Sequence, residues 1–278
     1  KEKIINSVEE IKPLFTDILT DKFYKKILNN KVIIDKIVEE AQLKKQLNEM
    51  RDANSKQKKI AKKKVHKLLD ANGIDRDKCT LFLVEGDSAI GSSGPVRDPK
   101  CHGFLPLRGK VLNVSELSIT QVLHNEEIQD IISSIGLVLG EKSKNLRYGR
   151  IVPLTDADPD GEAIKGLLLN FFFKYWPELF SEGKICFLKT PLYVAEKNKE
   201  KLFIYDTLEL EELEKKNKLD GYKVNYFKGL AGHSEEEWDI FLNKSPKYTT
   251  ISADDMSKIK FDMAFGADSQ KRKDWLLE

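Results

Sequence analysis

The chain has 278 residues, 40% of them hydrophobic, with three cysteines, four histidines and a formal net charge of +2, enough apolar material to fill cores in two compact units. No apolar run approaches the roughly 20 residues of a membrane-crossing helix, Cys79, Cys101, Cys186 and the histidines lack zinc-ligand spacing, and Lys1-Glu2-Lys3-Ile4 carries neither an initiator Met nor a secretory signal. These features argue against a disulfide framework, structural zinc and membrane anchorage; the chain is expected to be an intracellular piece of something longer, in which any nucleic-acid contact comes from local basic patches.

From about Glu2 to Ala71 the sequence is helical in character. Ser7-Val8-Glu9-Glu10 fits a capping box, Val32, Ile33, Ile37 and Val38 lead into Ala41-Gln42-Leu43, and glycine is absent. The second half of this arm carries Lys56, Lys58, Lys59, Lys62, Lys63, Lys64 and Lys67 with almost no acids. It reads either as a solvated helix face or as a DNA-facing patch. The texture changes at Asn72-Gly73. Cys79 to Val84 is a β-rich apolar run ending abruptly in Glu85, as expected of a buried parallel strand that delivers a carboxylate to its C-terminal edge. Gln121 to Gly136 reads as helix. Ile151 to Thr155 forms a second strand running into Asp156, and then Ile164, Leu167, Leu168, Phe171, Phe172 and Tyr175 mark one buried helical face. Lys184 to Val194 and Leu202 to Tyr205 read as strands. After about residue 206 the pattern is mostly helical, with one strand near Tyr222 to Phe227. The alternation predicts an α/β fold with a mainly parallel sheet and flanking helices, between an N-terminal helical arm (1–72) and a mostly helical C-terminal subdomain (207–278).

The most informative segment is Thr155-Asp156-Ala157-Asp158-Pro159-Asp160-Gly161, with three carboxylates at alternate positions directly after an apolar strand. Such acids repel one another unless a divalent cation neutralises them, and hard oxygen ligands select magnesium, manganese or calcium over zinc. A calcium EF-hand is disfavoured, because loop position twelve is Leu167 and a strand stands upstream. A solvated acidic turn is weakened as an alternative by Glu85, the second strand-end carboxylate, since sites in open α/β sheets gather at the carboxyl ends of the strands. In that geometry Glu85 could bind metal or move a proton, while Asp156 and Asp158 hold magnesium against a phosphate.

Leu83-Val84-Glu85-Gly86-Asp87-Ser88-Ala89 resembles the EGDSA signature of type IIA DNA topoisomerases, and Asp156 to Gly161 resembles their DxDxDG. Pro106-Leu107-Arg108-Gly109-Lys110-Val111-Leu112-Asn113-Val114, Leu146-Arg147-Tyr148-Gly149, Ile164 to Leu168, Lys228-Gly229-Leu230 and Arg272 to Leu276 are similar to further family motifs in the same order. The resemblance implies a TOPRIM (Rossmann-like) core over 73–206. It implies Glu85, Asp156 and Asp158 as catalytic metal ligands, Glu85 also as acid/base at the sugar 3′ oxygen, with Asp160 supplementing them and Mg2+ (Mn2+ or Ca2+ substituting) as the ion. It nominates Lys110 and Asn113 as DNA contacts, and less strongly Lys228, Arg272 and Lys273. The implied activity is that of an ATP-dependent type II DNA topoisomerase acting on double-stranded DNA in the cytoplasm or nucleus. ATP would bind upstream, the arm would be the end of the transducer domain, and the nucleophilic tyrosine would come from a winged-helix domain or subunit in a dimeric or heterotetrameric assembly.

Three departures stand out. Glu162-Ala163 replaces the family's Ser-His, Ala231 replaces the last glycine of KGLG, and Ile90 to Val96 is idiosyncratic. The layout leans to the eukaryotic and T-even-phage branch. Two rival classes are a TOPRIM nuclease or primase, disfavoured by PLRGKVLNV and RKDWL, and a non-catalytic DNA-binding scaffold, disfavoured by the intact acids. No phosphate loop and no match to the winged-helix tyrosine segment is present.

Overall fold

A computed structural model describes residues 20–60, 63–86, 88–198, 200–227 and 229–277. The chain divides into two compact units, Lys1–Asn54 and Ser55–Glu278. In the first, helix α1 (Asp21–Leu28) starts at Thr20, whose hydroxyl accepts from the Phe23 N–H, and buries none of its residues. Helix α2 begins at Lys31 and ends at Ile60. The expected capping box at Ser7 lies outside the described residues.

The second unit is built on strand β1 (Thr80–Glu85), buried along its length up to Glu85, which is half-buried. A strand covered on both faces is continuously apolar, which is the pattern of Leu81 to Val84. Strands β2 (His102–Leu107) and β3 (Arg150–Leu154) flank it in parallel, in the order β2-β1-β3. Both flanking strands contain a proline, Pro106 opposite Val84 and Pro153 opposite Leu83; the central strand, with a partner on each side, has none. Ile151 bridges in parallel to Ile185, and its N–H donates to the Lys184 carbonyl at 2.8 Å. This brings β4 (Cys186–Leu188) beside β3, and β4 pairs antiparallel with β8 (Tyr248–Thr250). A separate antiparallel sheet, β6-β5-β7, comprises Glu200–Ile204, Tyr193–Lys197 and Lys223–Tyr226. The parallel α/β core is as expected, but the later strands run antiparallel, and β8 falls where only helix was expected.

Helices pack against this core. Short helices α3 (Ser88–Ser93) and α4 (Ile119–Val122) precede α5 (Glu126–Ile135), which is capped by Asn125, ends at left-handed Gly136 (φ 74°) and buries Ile128, Ile131, Ile132 and Ile135. Helix α6 (Pro159–Tyr175) buries Ile164, Leu168, Phe171 and Phe172, and Leu167 and Tyr175 of its expected face are half-buried. Further on come α7 (Glu178–Ser181), α8 (Thr207–Lys215), α9 (Glu235–Asp239), α10 (Ser257–Phe265) and α11 (Ser269–Leu277). The helical reading as far as Ala71 is corrected: residues 63–71 are irregular, and Leu69 forms an antiparallel bridge with Phe104 of β2. Two of the lysines read as a free patch are neutralised here. Lys63 contacts Asp130 at 2.7 Å, and Lys67 contacts Glu127 at 2.7 Å and Asp130 at 3.3 Å.

Candidate metal and DNA site

Parallel pairing aligns the C-terminal ends of β1 and β3, so Glu85 and Asp156 emerge at the same sheet edge. After Glu85 the chain turns at Gly86 (φ 68°), a left-handed conformation that suits glycine, and the Gly86 N–H donates to the Leu107 carbonyl at 3.0 Å. Oε2 of Glu85 is buried and has no hydrogen-bond partner. Burial, and then the charges of Asp156, Asp158 and Asp160, push the Glu85 carboxyl above its ordinary range, against one hydrogen bond from the Asp156 N–H.

Each aspartate of the DxDxD segment has a different restraint. Oδ1 of Asp156 accepts the Leu230 N–H at 2.8 Å. Asp158 is the N-cap of α6, and its Oδ1 accepts the Gly161 N–H at 2.7 Å, with Pro159 following in the first turn. The Thr155 hydroxyl donates to the Gly161 carbonyl at 3.0 Å and ties the strand end to the helix start. Gly161 packs so closely that a β-carbon would lie 2.2 Å from the Asp156 carbonyl oxygen. Asp160 points outward to Lys110 Nζ at 2.8 Å, with the two side chains 70% and 58% exposed. A pair this exposed contributes little to stability, so Lys110 is available for exchange onto a phosphate.

The other nominated residues are placed differently. Asn113 is exposed and makes three hydrogen bonds: its Nδ2 donates to the Phe265 carbonyl at 2.8 Å, and its Oδ1 accepts from the Ser115 N–H at 3.2 Å and from Asn170 Nδ2 at 3.3 Å. It ties the loop after β2 to α6 and to the end of α10. Arg272 donates to the Gly266 carbonyl, while Lys273 is exposed. Lys228 and Asp87 lie outside the described residues. Ala231 sits in a 3-10 turn (Leu230–Gly232) and is not among the positive-φ residues, so the missing glycine is not needed for that conformation. Glu162, in place of the family's serine, pairs with Lys165 at 2.6 Å. Sequence reading did not single out the Leu230 backbone N–H. Its only sequence mark is the Lys-Gly-Leu motif, 74 residues from the acid it holds.

Among the described residues no three carboxylate, imidazole or thiolate groups already enclose a metal position. The donors nonetheless fit a hard divalent cation. An unpartnered buried Glu85 oxygen faces an accumulation of aspartates whose charges oppose its own ionisation, and carboxylate oxygens are the ligands magnesium takes.

Residues 80–189 match the family model "Toprim domain", and residues 188–278 match "C-terminal associated domain of TOPRIM". The chain is 38% identical over 239 residues to a type 2 topoisomerase subunit of Aquifex aeolicus, covering 81% of this chain and 29% of that protein. It is 34% identical to a DNA topoisomerase 4 subunit of Mycoplasma capricolum, covering 91% and 41%. The crystal structure of the Plasmodium falciparum topoisomerase II DNA-binding, cleavage and re-ligation domain superposes with a TM-score of 0.69 at 32% identity, covering 77% of this chain and 31% of that one. The chain thus spans less than half the length of these relatives, and bacterial and eukaryotic proteins match at similar identity, so the lean toward one branch gains no support. With both domain models in sequence and the carboxylates of Glu85 and Asp156 at one sheet edge, the chain belongs to the TOPRIM family, in the form found in type II DNA topoisomerases.

Proposed function

We propose that this chain is the TOPRIM part of an ATP-dependent type II DNA topoisomerase, supporting double-strand cleavage and religation by a tyrosine supplied from another domain or subunit. The observation that carries this reading is the buried, unpartnered Glu85 oxygen beside Asp156 and Asp158. Glu85, Asp156 and Asp158 would hold Mg2+, supplemented by Asp160, and Glu85 would also move the proton of the sugar 3′ oxygen. When bound, the ion would stabilise negative charge at the phosphate and at that oxygen. Glu85 would give a proton to the leaving 3′ oxygen and take one back on religation. Lys110 exchanges Asp160 for a DNA phosphate, which orients the backbone over the acids; Asn113, Lys228, Arg272 and Lys273 are further candidates for such contacts.

In this reading the three-part division at residues 72 and 206 corresponds to transducer end, TOPRIM core and tail. ATP binds on an upstream domain, the assembly is a dimer or heterotetramer on double-stranded DNA, and it works in the cytoplasm or nucleus; no helix among the described residues is long and apolar enough to cross a membrane. The test is magnesium-dependent cleavage of supercoiled plasmid by the full subunit with its tyrosine-bearing partner. Glu85→Gln and Asp158→Asn are each expected to lower cleavage by about 100-fold, the scale on which groups that stabilise developing charge act, while DNA binding persists. Cleavage at the unaltered rate in both variants refutes the assignment of these acids.

A further inference from the structure

The strand order places basic side chains on both sides of the acids. Lys110 follows β2, Glu85 ends β1, Asp156 follows β3, and Lys189 follows β4. The parallel bridge of Ile151 to Ile185, continued along the two strands, sets Lys189 level with Thr155, the residue before Asp156. The Lys189 N–H donates to the Lys247 carbonyl at 2.8 Å, which adds Lys247 at the start of β8 to the same row. The edge therefore reads cation, carboxylate, carboxylate, cation, cation.

Neither distal lysine is firmly neutralised. Lys189 Nζ lies 3.6 Å from Asp206 with half its side chain exposed. Lys247 has no acidic partner among the described residues, and its Nζ stands 3.6 Å above the Tyr205 ring, which holds the ammonium group in place without cancelling its charge. Beside Lys189 lies an open cleft of about 320 Å³, with Thr155, Ala157, Glu162, Lys165, Tyr205 and Gly229 among its other lining residues. A polyanion crossing a cluster of carboxylates needs compensating charge on both flanks, and Lys110 supplies it on one flank only.

We infer that Lys189 and Lys247 form a second phosphate-binding subsite, over which the DNA strand leaves the acid cluster on the side away from Lys110. The inference rests on the DNA-cleavage reading and adds to it a direction for the strand. Three strand spacings separate β2 from β4, roughly 14 Å at about 4.8 Å each. That is about four base steps at 3.4 Å per step along one strand, so the subsite engages phosphates a few nucleotides from the scissile one. Lys165, bonded to Glu162 at 2.6 Å, lines the cleft as a secondary contact.

The experiment measures DNA affinity of the full subunit with its partner against salt concentration, without divalent metal, for wild type, Lys110→Ala, Lys189→Ala/Lys247→Ala and the exposed control Lys218→Ala, with melting curves confirming that each variant folds. The double variant is expected to lower the slope of log affinity against log salt by about 1.8, at roughly 0.9 per lost phosphate contact, and to shorten the hydroxyl-radical footprint on one side of the cleavage point only. Lys218→Ala is expected to match wild type. If Lys110→Ala lowers the slope and the double variant does not, the subsite is refuted while the edge stands as a DNA face. If neither lowers it, both fall. The carboxylate assignment is judged separately, by the cleavage of Glu85→Gln.

Discussion

At the scale of single residues, the site depends on a contact that no side-chain motif encodes: a backbone N–H from Leu230 fixes the carboxylate of Asp156. Gly229 makes that approach possible. Its φ of −161° is open to any residue, so the requirement is one of space. A β-carbon there would stand 2.9 Å from Oδ2, 3.0 Å from Cγ and 3.1 Å from Oδ1 of Asp156. Gly229→Ala therefore has to swing the Asp156 carboxylate away or lift the Leu230 N–H off it. A displacement of about 1 Å at a reacting centre costs on the order of 100-fold in rate. The expected outcome is a loss of cleavage of that size with the melting temperature lowered by only about 2–4 °C, the shift that roughly 1 kcal/mol produces in a domain of this size. A Gly229→Ala enzyme that cleaves at the wild-type rate would show that the Asp156 position is not critical.

At the scale of elements, what could be read from the sequence depended on how strongly each segment's pattern was imposed by burial. Strands β1 and β3 were legible because both are covered on two faces and so are continuously apolar up to the acid that ends them. Helices α5 and α6 were legible because their buried residues recur at helical spacing. Strand β2, His102–Leu107, was hidden by Gly103 and Pro106, residues that argue against a strand; Gly103 is there because a β-carbon would lie 2.8 Å from the Tyr148 hydroxyl. Strand β8 is three residues long and mostly exposed, too short to show a period. The segment 63–71 looked like a continuation of a basic helix because its lysines find their acids, Glu127 and Asp130, about sixty residues away. The same limit applies to the site. Glu85, Asp156 and Asp158 stood out in the sequence as candidates because they closely follow strands, whereas the restraint on Asp156 and the lysines beyond β4 arise only from tertiary pairing. Asn113 had a matching motif around it, but its hydrogen bonds to Phe265, Ser115 and Asn170 could not be read from that motif.

At the scale of the molecule, stability is tied to pH through a buried histidine. His233 and Glu237 have side chains only 2% and 5% exposed, with 3.6 Å between Nδ1 and Oε2. Burial among Phe227, Trp238 and Phe241 lowers the His233 pKa, against the opposing pull of Glu237, which is itself held by Lys201 at 2.8 Å. A histidine whose folded pKa is depressed binds fewer protons folded than unfolded, so stability is lost as pH falls from the ordinary value of about 6.5 toward the lower folded value. The melting temperature is expected to drop over that interval in wild type, and this component is expected to vanish in His233→Gln. An identical pH profile in the two proteins would remove His233 as the cause.

Whether Glu85 and Asp156 share a divalent cation, as proposed, is read from Mn2+ binding to the chain itself, followed by electron paramagnetic resonance. Wild type is expected to bind the ion at a saturable site. Glu85→Gln and Asp156→Asn are each expected to weaken it by at least about 10-fold, the loss that follows removal of even a supporting residue around a metal, with circular dichroism unchanged. Mn2+ affinity equal to wild type in both variants would mean that neither carboxylate holds the ion.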